Sequence, residues 1–165
     1  MFPSKPLRPQ LVNEQRGLVK TPARTASFRY DSRMADIGKL ILRLTVAVLL
    51  AFHGFSKMQK GIAWMAGPLQ AHHLPLWLGY GVFVAEVLAP LLLILGILTR
   101  PAAIVIAFEL GMALFLLVGP KTFEINAQTG ALGGELQFLY IGAALAIAFL
   151  GSGRFALSKG QGRLD

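Results

Sequence analysis

The sequence predicts an all-α membrane protein: an antiparallel bundle of four transmembrane helices with both the N- and C-termini cytoplasmic. Three observations carry this expectation. Apolar residues make up 55% of the 165 positions while charged ones make up 15%, too little charge to cover a water-soluble domain of this size. The apolar residues gather in four long blocks, each close to the roughly 20 residues that span a bilayer. Lysine and arginine then fall unequally on the two sides that those blocks define.

Residues 1–33 form a basic leader with four prolines (Pro3, Pro6, Pro9 and Pro22) and no apolar periodicity. Such a segment buries too little surface to offset its ordering entropy, so disorder is the expectation. It carries seven of the basic residues against Glu14 and Asp31, which is +5 of the formal +8. No apolar core of a secretory signal is present within it. Met34 opens a second candidate start, because Met34-Ala35-Asp36-Ile37 leads directly into the first span.

The membrane domain is expected over residues 37–157. Its first span runs from about Ile37 to Phe55 and is the weakest by hydropathy, since it includes Lys39, Arg43 and His53. The second, Leu76 to Leu98, contains a single ionisable group, Glu86, and the third, Pro101 to Val118, contains Glu109. Only Thr99-Arg100 separates them, which demands an antiparallel helical hairpin. The fourth runs from about Gly133 to Leu150 and stops at Gly151-Ser152-Gly153, leaving residues 158–165 as a cytoplasmic tail. Helical rather than barrel spans are expected, because Leu, Ala and Ile run continuously without strand alternation.

With the N-terminus inside, twelve lysines and arginines face the cytoplasm and three, Lys57, Lys60 and Lys121, face outward. Both termini are therefore placed inside. The sequence pI of 10.3 reflects this leader and these inner loops, and no aromatic or glycine-rich reading surface accompanies it, so nucleic acid is not an expected partner. The partner is the lipid bilayer.

The chain has no cysteine, which excludes a disulfide framework, a thiol redox pair and an iron–sulfur centre. His72-His73 lacks a third ligand at metal spacing and is read as a solvated loop pair, with no metal site. The informative groups are the ionisable ones inside the spans. Arg43, His53 and Lys57 share one face of the first helix at 100° per residue. At about 1.5 Å per residue Arg43 lies roughly 9 Å, and Glu109 roughly 12 Å, from the inner ends of their spans, which makes them a candidate structural ion pair. His53, Lys57 and Glu135 approach the outer end as a second cluster. Glu86 lies mid-span, and Pro90 four residues on cannot donate to its carbonyl. Each group has two readings: a contact that fixes helix register, or a ligand-binding or proton-relay site, for which His53, Lys57, Glu86 and Glu135 are the candidates. No catalytic residue is assigned.

Three stretches together resemble the DoxX family of small membrane proteins. RLTVAVLLAFHGFSKM (Arg43 to Met58) has the Arg-Leu and the His-Gly followed by Lys; EVLAPLLLILGILTRPAA (Glu86 to Ala103) has the membrane glutamate and the Leu-Gly-x-x-Thr-Arg end; GGELQFLYIGAALAIAFLGSGRFAL (Gly133 to Leu157) has the Gly-Gly-Glu and the glycine-arginine close. Ser152 stands where the family pattern has proline, and Glu109 matches no family position. The resemblance implies a multi-pass protein of the bacterial inner (plasma) membrane, associated with a quinone-linked oxidoreductase system, with quinone as the cofactor and a redox protein as partner. It implies a subunit rather than a self-sufficient enzyme. The alternative is a proton, ion or small-solute transport module, or a structural membrane scaffold without catalytic activity.

Overall fold

The computed structural model describes residues 23–165 apart from 161 and 163, with side chains from residue 32 onward. Two compact units divide the chain, Met1–Met34 and Ala35–Asp165; everything from packing onward concerns the second. Among the described residues it is built from α1 (Ala23–Lys60) from Ala35 onward, α2 (Ala66–Ala71), α3 (Leu76–Leu95), α4 (Thr99–Phe123) and α5 (Glu135–Leu150). No strand is present among the described residues, only an isolated antiparallel bridge between Ile125 and Leu132.

α3 and α4 are long and apolar enough to cross a membrane, with mean hydropathies of 2.2 and 2.4. α5 is a shorter apolar helix of 16 residues, and α1 threads an apolar run between charged ends. Large apolar side chains point outward from these helices: Phe52 is 69% exposed, Phe108 70% and Phe149 80%. Apolar surface of this extent is unsustainable in water and is what lipid covers. The chain is a membrane protein.

One apolar core joins Val46, Ala47 and Leu50 of α1, Ala89 and Leu93 of α3, Ala103, Ile106 and Leu110 of α4, and Tyr140, Ala144 and Ile147 of α5. Alanine recurs where the helices touch because lipid supplies no hydrophobic drive, so close backbone approach and dispersion contacts hold the helices together. Gly54 carries this furthest. A Cβ built there would collide with the Glu86 carbonyl, so α1 crosses α3 with no side chain between them. α3 opens into a wide π turn over Val84–Leu88, immediately before Pro90, whose ring nitrogen has no proton to return to that carbonyl.

Element boundaries differ from the sequence expectation in four places. α1 begins at Ala23, so residues 23–33 are helical where disorder is expected; residues 1–22 of the leader lie outside the described residues. α1 also continues past Phe55 to Lys60. The hairpin between α3 and α4 is Gly96-Ile97-Leu98 rather than Thr99-Arg100: Gly96 adopts a left-handed conformation (φ 70°), and its N–H and that of Ile97 return to the Leu93 and Leu92 carbonyls at 3.1 and 3.0 Å. That is a glycine C-cap. Thr99 then starts α4, with Pro101 in the first turn, where its missing N–H costs nothing. The fourth difference is the tail, which folds back: Leu157 N–H donates to Leu95 at 3.0 Å and Arg100 N–H to Leu164 at 3.0 Å.

The crossing at Gly54 is testable by contrast with Gly38, whose Cβ would meet nothing within 4 Å. Gly54→Ala should lower the melting temperature, at a cost of about 1–3 kcal/mol for overpacking. Gly38→Ala should be neutral or stabilise by up to about 1 kcal/mol, the ordinary helix preference. Equal melting temperatures for the two variants would remove the close α1–α3 contact.

Candidate functional site

The last turns of α1, the wide turn of α3 and the middle of α4 bring three ionisable groups together. Lys57 Nζ stands 2.5 Å from Glu86 Oε1, with the lysine side chain 25% exposed and the glutamate 3%. The same ammonium lies over the Trp64 ring, 5.4 Å from its centroid, a cation–π contact from the tight turn Ala63–Met65 that follows α1. Glu109 stands close enough to feel both Glu86 and Lys57 electrostatically. Glu86 holds the ammonium directly, and the second carboxyl group lies within electrostatic range of that pair. The Oε2 atoms of both Glu86 and Glu109, and Trp64 Nε1, are buried without a hydrogen-bond partner. Buried polar atoms are nearly always paired; three of the orphans among the described residues fall here, and three others are on Arg43, Thr99 and Asp165.

Glu109 also lines a cavity of about 370 Å³ between the α2 region, the first half of α3 and the second half of α4. The rest of that lining is almost wholly apolar, including Met65, Leu69, Val82, Phe108 and Met112. Met65, Leu69 and Val82 form a small second core with Ile62, Trp64, Leu74 and Leu116, which roofs the cavity. The carboxyl is the polar handle in an apolar chamber, the usual make-up of a small-molecule site.

The other candidates are placed differently. Arg43 does not pair with Glu109. It is 1% exposed and donates from Nη1 to the Ser152 carbonyl at 2.8 Å and from Nη2 to the Phe155 carbonyl at 3.0 Å. Gly151 and Gly153, with φ of 73° and 71°, turn the chain back under α5 and leave carbonyls that no helix satisfies, and the guanidinium fork meets them. Glu135 does not join Lys57 either. It is exposed, and its Oε2 accepts from Leu132 N–H at 3.1 Å, closing the turn into α5; Gly134 before it lies too tightly against Leu114 and Thr122 for a side chain. His53 meets Tyr140 edge to face at 6.4 Å between centroids and is apart from the Lys57–Glu86 pair. His72 packs on Phe115 at 4.8 Å. Among the described residues no three of His, Asp and Glu gather at metal distance.

Lys57 reaches Glu86 because α1 continues to Lys60, which keeps Lys57 inside the helix, and because its four-carbon stem carries the charge inward. Trp64 is the residue that sequence reasoning missed. Its one signal was position: an indole seven residues after a membrane lysine, beyond a helix end.

Removing one partner of the pair separates its contributions. Lys57→Met should destabilise by on the order of 3 kcal/mol, since a carboxylate is left buried alone. Lys57→Met/Glu86→Gln should recover most of that loss, a positive coupling in thermal melts. Additive losses would mean that the two groups do not interact.

Comparison with known proteins gives a family and a relative. The DoxX family model matches residues 38–121, a stretch that contains Arg43, Lys57, Glu86 and Glu109. A protein of Haemophilus influenzae, described only as an uncharacterized protein, is 37% identical over 122 residues, covering 72% of this chain and 86% of its own length. No solved structure matches. A match over half of the chain, together with a relative similar across most of both lengths, means that the chain belongs to the DoxX family.

Proposed function

We propose that this protein is a multi-pass subunit of the bacterial inner membrane, spanning it with α1, α3, α4 and α5 and with both termini cytoplasmic, and that it serves a quinone-linked oxidoreductase system. The observation that carries the reading is the apolar chamber of about 370 Å³ with the orphan carboxyl of Glu109 in its wall. A quinone ring needs an apolar slot, and its carbonyl oxygens need a donor. Protonated Glu109 donates to one carbonyl oxygen, and the Lys57–Glu86 pair beside it supplies a second protonatable station. Met112 and Phe108 flank the ring and keep water away. Reduction of the quinone to the quinol takes two electrons and two protons. The electrons come from a partner protein carrying flavin, haem or a metal, and the protons enter through the carboxyl groups.

Quinone binding is tested on the full chain in lipid nanodiscs with a short-chain ubiquinone as probe. Glu109→Gln and the cavity-filling Met112→Trp should each weaken binding at least tenfold, with little change in melting temperature for the first. Wild-type protein that fails to bind the probe, or binding indifferent to both variants, overturns the reading; proton or ion flux in liposomes without quinone binding would instead identify a transport module. The four-span arrangement is tested by single cysteines in this cysteine-free chain. A cysteine at Gln70 should be labelled only from outside and one at Lys159 only from the cytoplasm. Labelling of both from one side would mean an even number of spans between them, where this arrangement requires three.

A further inference from the structure

At the far end from the cavity, the first turn of α4, the start of α1 within the second unit, the end of α5 and the returning tail enclose a polar hollow of about 200 Å³. Lys39, Arg100, Arg154 and Lys159 line it, against the two carboxyl-bearing residues Asp36 and Asp165. Four cations thus face two acidic side chains, of which Asp165 has its Oδ1 buried without a hydrogen-bond partner. Asp36 is buried and accepts from the Arg154 backbone N–H at 3.4 Å, while Arg100 Nε donates to the Asp165 main-chain oxygen at 3.1 Å. No ion pair among the described residues engages the side-chain charges of Lys39, Arg154 or Lys159, since the one such pair is Lys57–Glu86. Gly153 also lines it, packed so closely that a Cβ there would press on Asp36 Oδ1 and Lys39 Cδ at 3.2 Å.

The surroundings tell which anion fits. The hollow opens where the apolar helix surface ends, and Leu150 lies in its wall. Around this end Leu98, Phe155 and Leu157 are 42%, 53% and 68% exposed. Cations beside an exposed apolar skirt match an amphiphile with a charged head and acyl chains, whereas a free anion would use only the cations. We propose that this hollow binds the phosphate of an anionic phospholipid, with Lys39, Arg154 and Lys159 around the head group and the acyl chains lying along the apolar surface. The proposal is independent of the quinone reading, since the hollow and the chamber share no residue.

The test uses the full chain in neutral detergent, with added phosphatidylglycerol, phosphatidylcholine or inorganic phosphate, read by melting temperature and by native mass spectrometry of retained lipid. Phosphatidylglycerol should raise the melting temperature and remain bound; phosphatidylcholine should not. Each cation removed, Lys159→Gln or Arg154→Gln, should weaken retention about fivefold, from roughly 1 kcal/mol per basic residue near anionic lipid. Lys159→Arg should keep it. Lys121→Gln, which removes one charge at the opposite end, should leave it unchanged. These exposed residues lie outside the core, so melting temperatures without lipid confirm that the variants fold. If inorganic phosphate reproduces the full shift, the anion site stands and its lipid source is overturned. If Lys121→Gln weakens retention as much as Lys159→Gln, or neither does, the site itself is overturned.

Discussion

The crossing of α1 over α3 at Gly54 is the contact on which the polar architecture depends. A glycine there lets the α1 backbone meet the Glu86 carbonyl, and that carbonyl is available because Pro90 cannot occupy it with an N–H. With the two helices this close, Lys57, three residues after Gly54, comes to the Glu86 side chain. A larger residue at 54 would push the helices apart and strand both charges. In a medium that offers no water, an unpaired charge is far costlier than a lost apolar contact, so backbone proximity and charge pairing are one constraint.

The two ends of the molecule solve a common problem with different chemistry. Irregular backbone near lipid must have its carbonyls and N–H groups satisfied by the protein itself. At the end where the tail returns, Arg43 from α1 reaches across to Ser152 and Phe155, and Ser158 Oγ donates to the Gly96 carbonyl at 2.8 Å. The hairpin, the tail and α1 are thereby tied into one unit. At the other end, Asn126 Oδ1 accepts from Gln128 and Thr129 N–H, and Glu135 closes the entry into α5. The residues that look most functional in the family pattern thus divide by what they touch. Arg43, Gly134, Glu135 and Gly151 hold backbone, while Lys57 and Glu86 hold each other beside a chamber that has room for something else.

Glu109 falls outside the family pattern that the sequence suggested, yet it is the group with a carboxyl in that chamber and an orphan oxygen. A carboxyl in an apolar wall costs stability and gains nothing from Arg43, which is occupied elsewhere. Retaining it is understandable where a ligand or a proton uses it. The roof over the chamber is supplied by the short α2 segment, which a reading based on spans treats as a loop.

The all-helical class of the fold, its membrane setting and its family could be read from residue order alone, because apolar blocks and short motifs are properties of the order of residues along the chain. The family motifs also survive as local features: Gly96 is a helix cap, and the Gly-Gly-Glu sequence builds a turn. Which charges meet could not be read this way. Depth counted at 1.5 Å per residue assumes straight, uniform helices, but α3 opens as a tight turn over Leu76–Tyr80 and widens at Val84–Leu88, so register drifts from the count. Long side chains then reach a full turn or more beyond their own Cα. By that count Arg43 lies about 3 Å in depth from Glu109 and about 9 Å from the inner end of its span; only the fold-back of residues 151–158, with Gly151 and Gly153 at positive φ, puts carbonyls within its reach. Pairing between helices is decided by their rotation, kinks and caps acting together, and those exist only once the tertiary structure has formed.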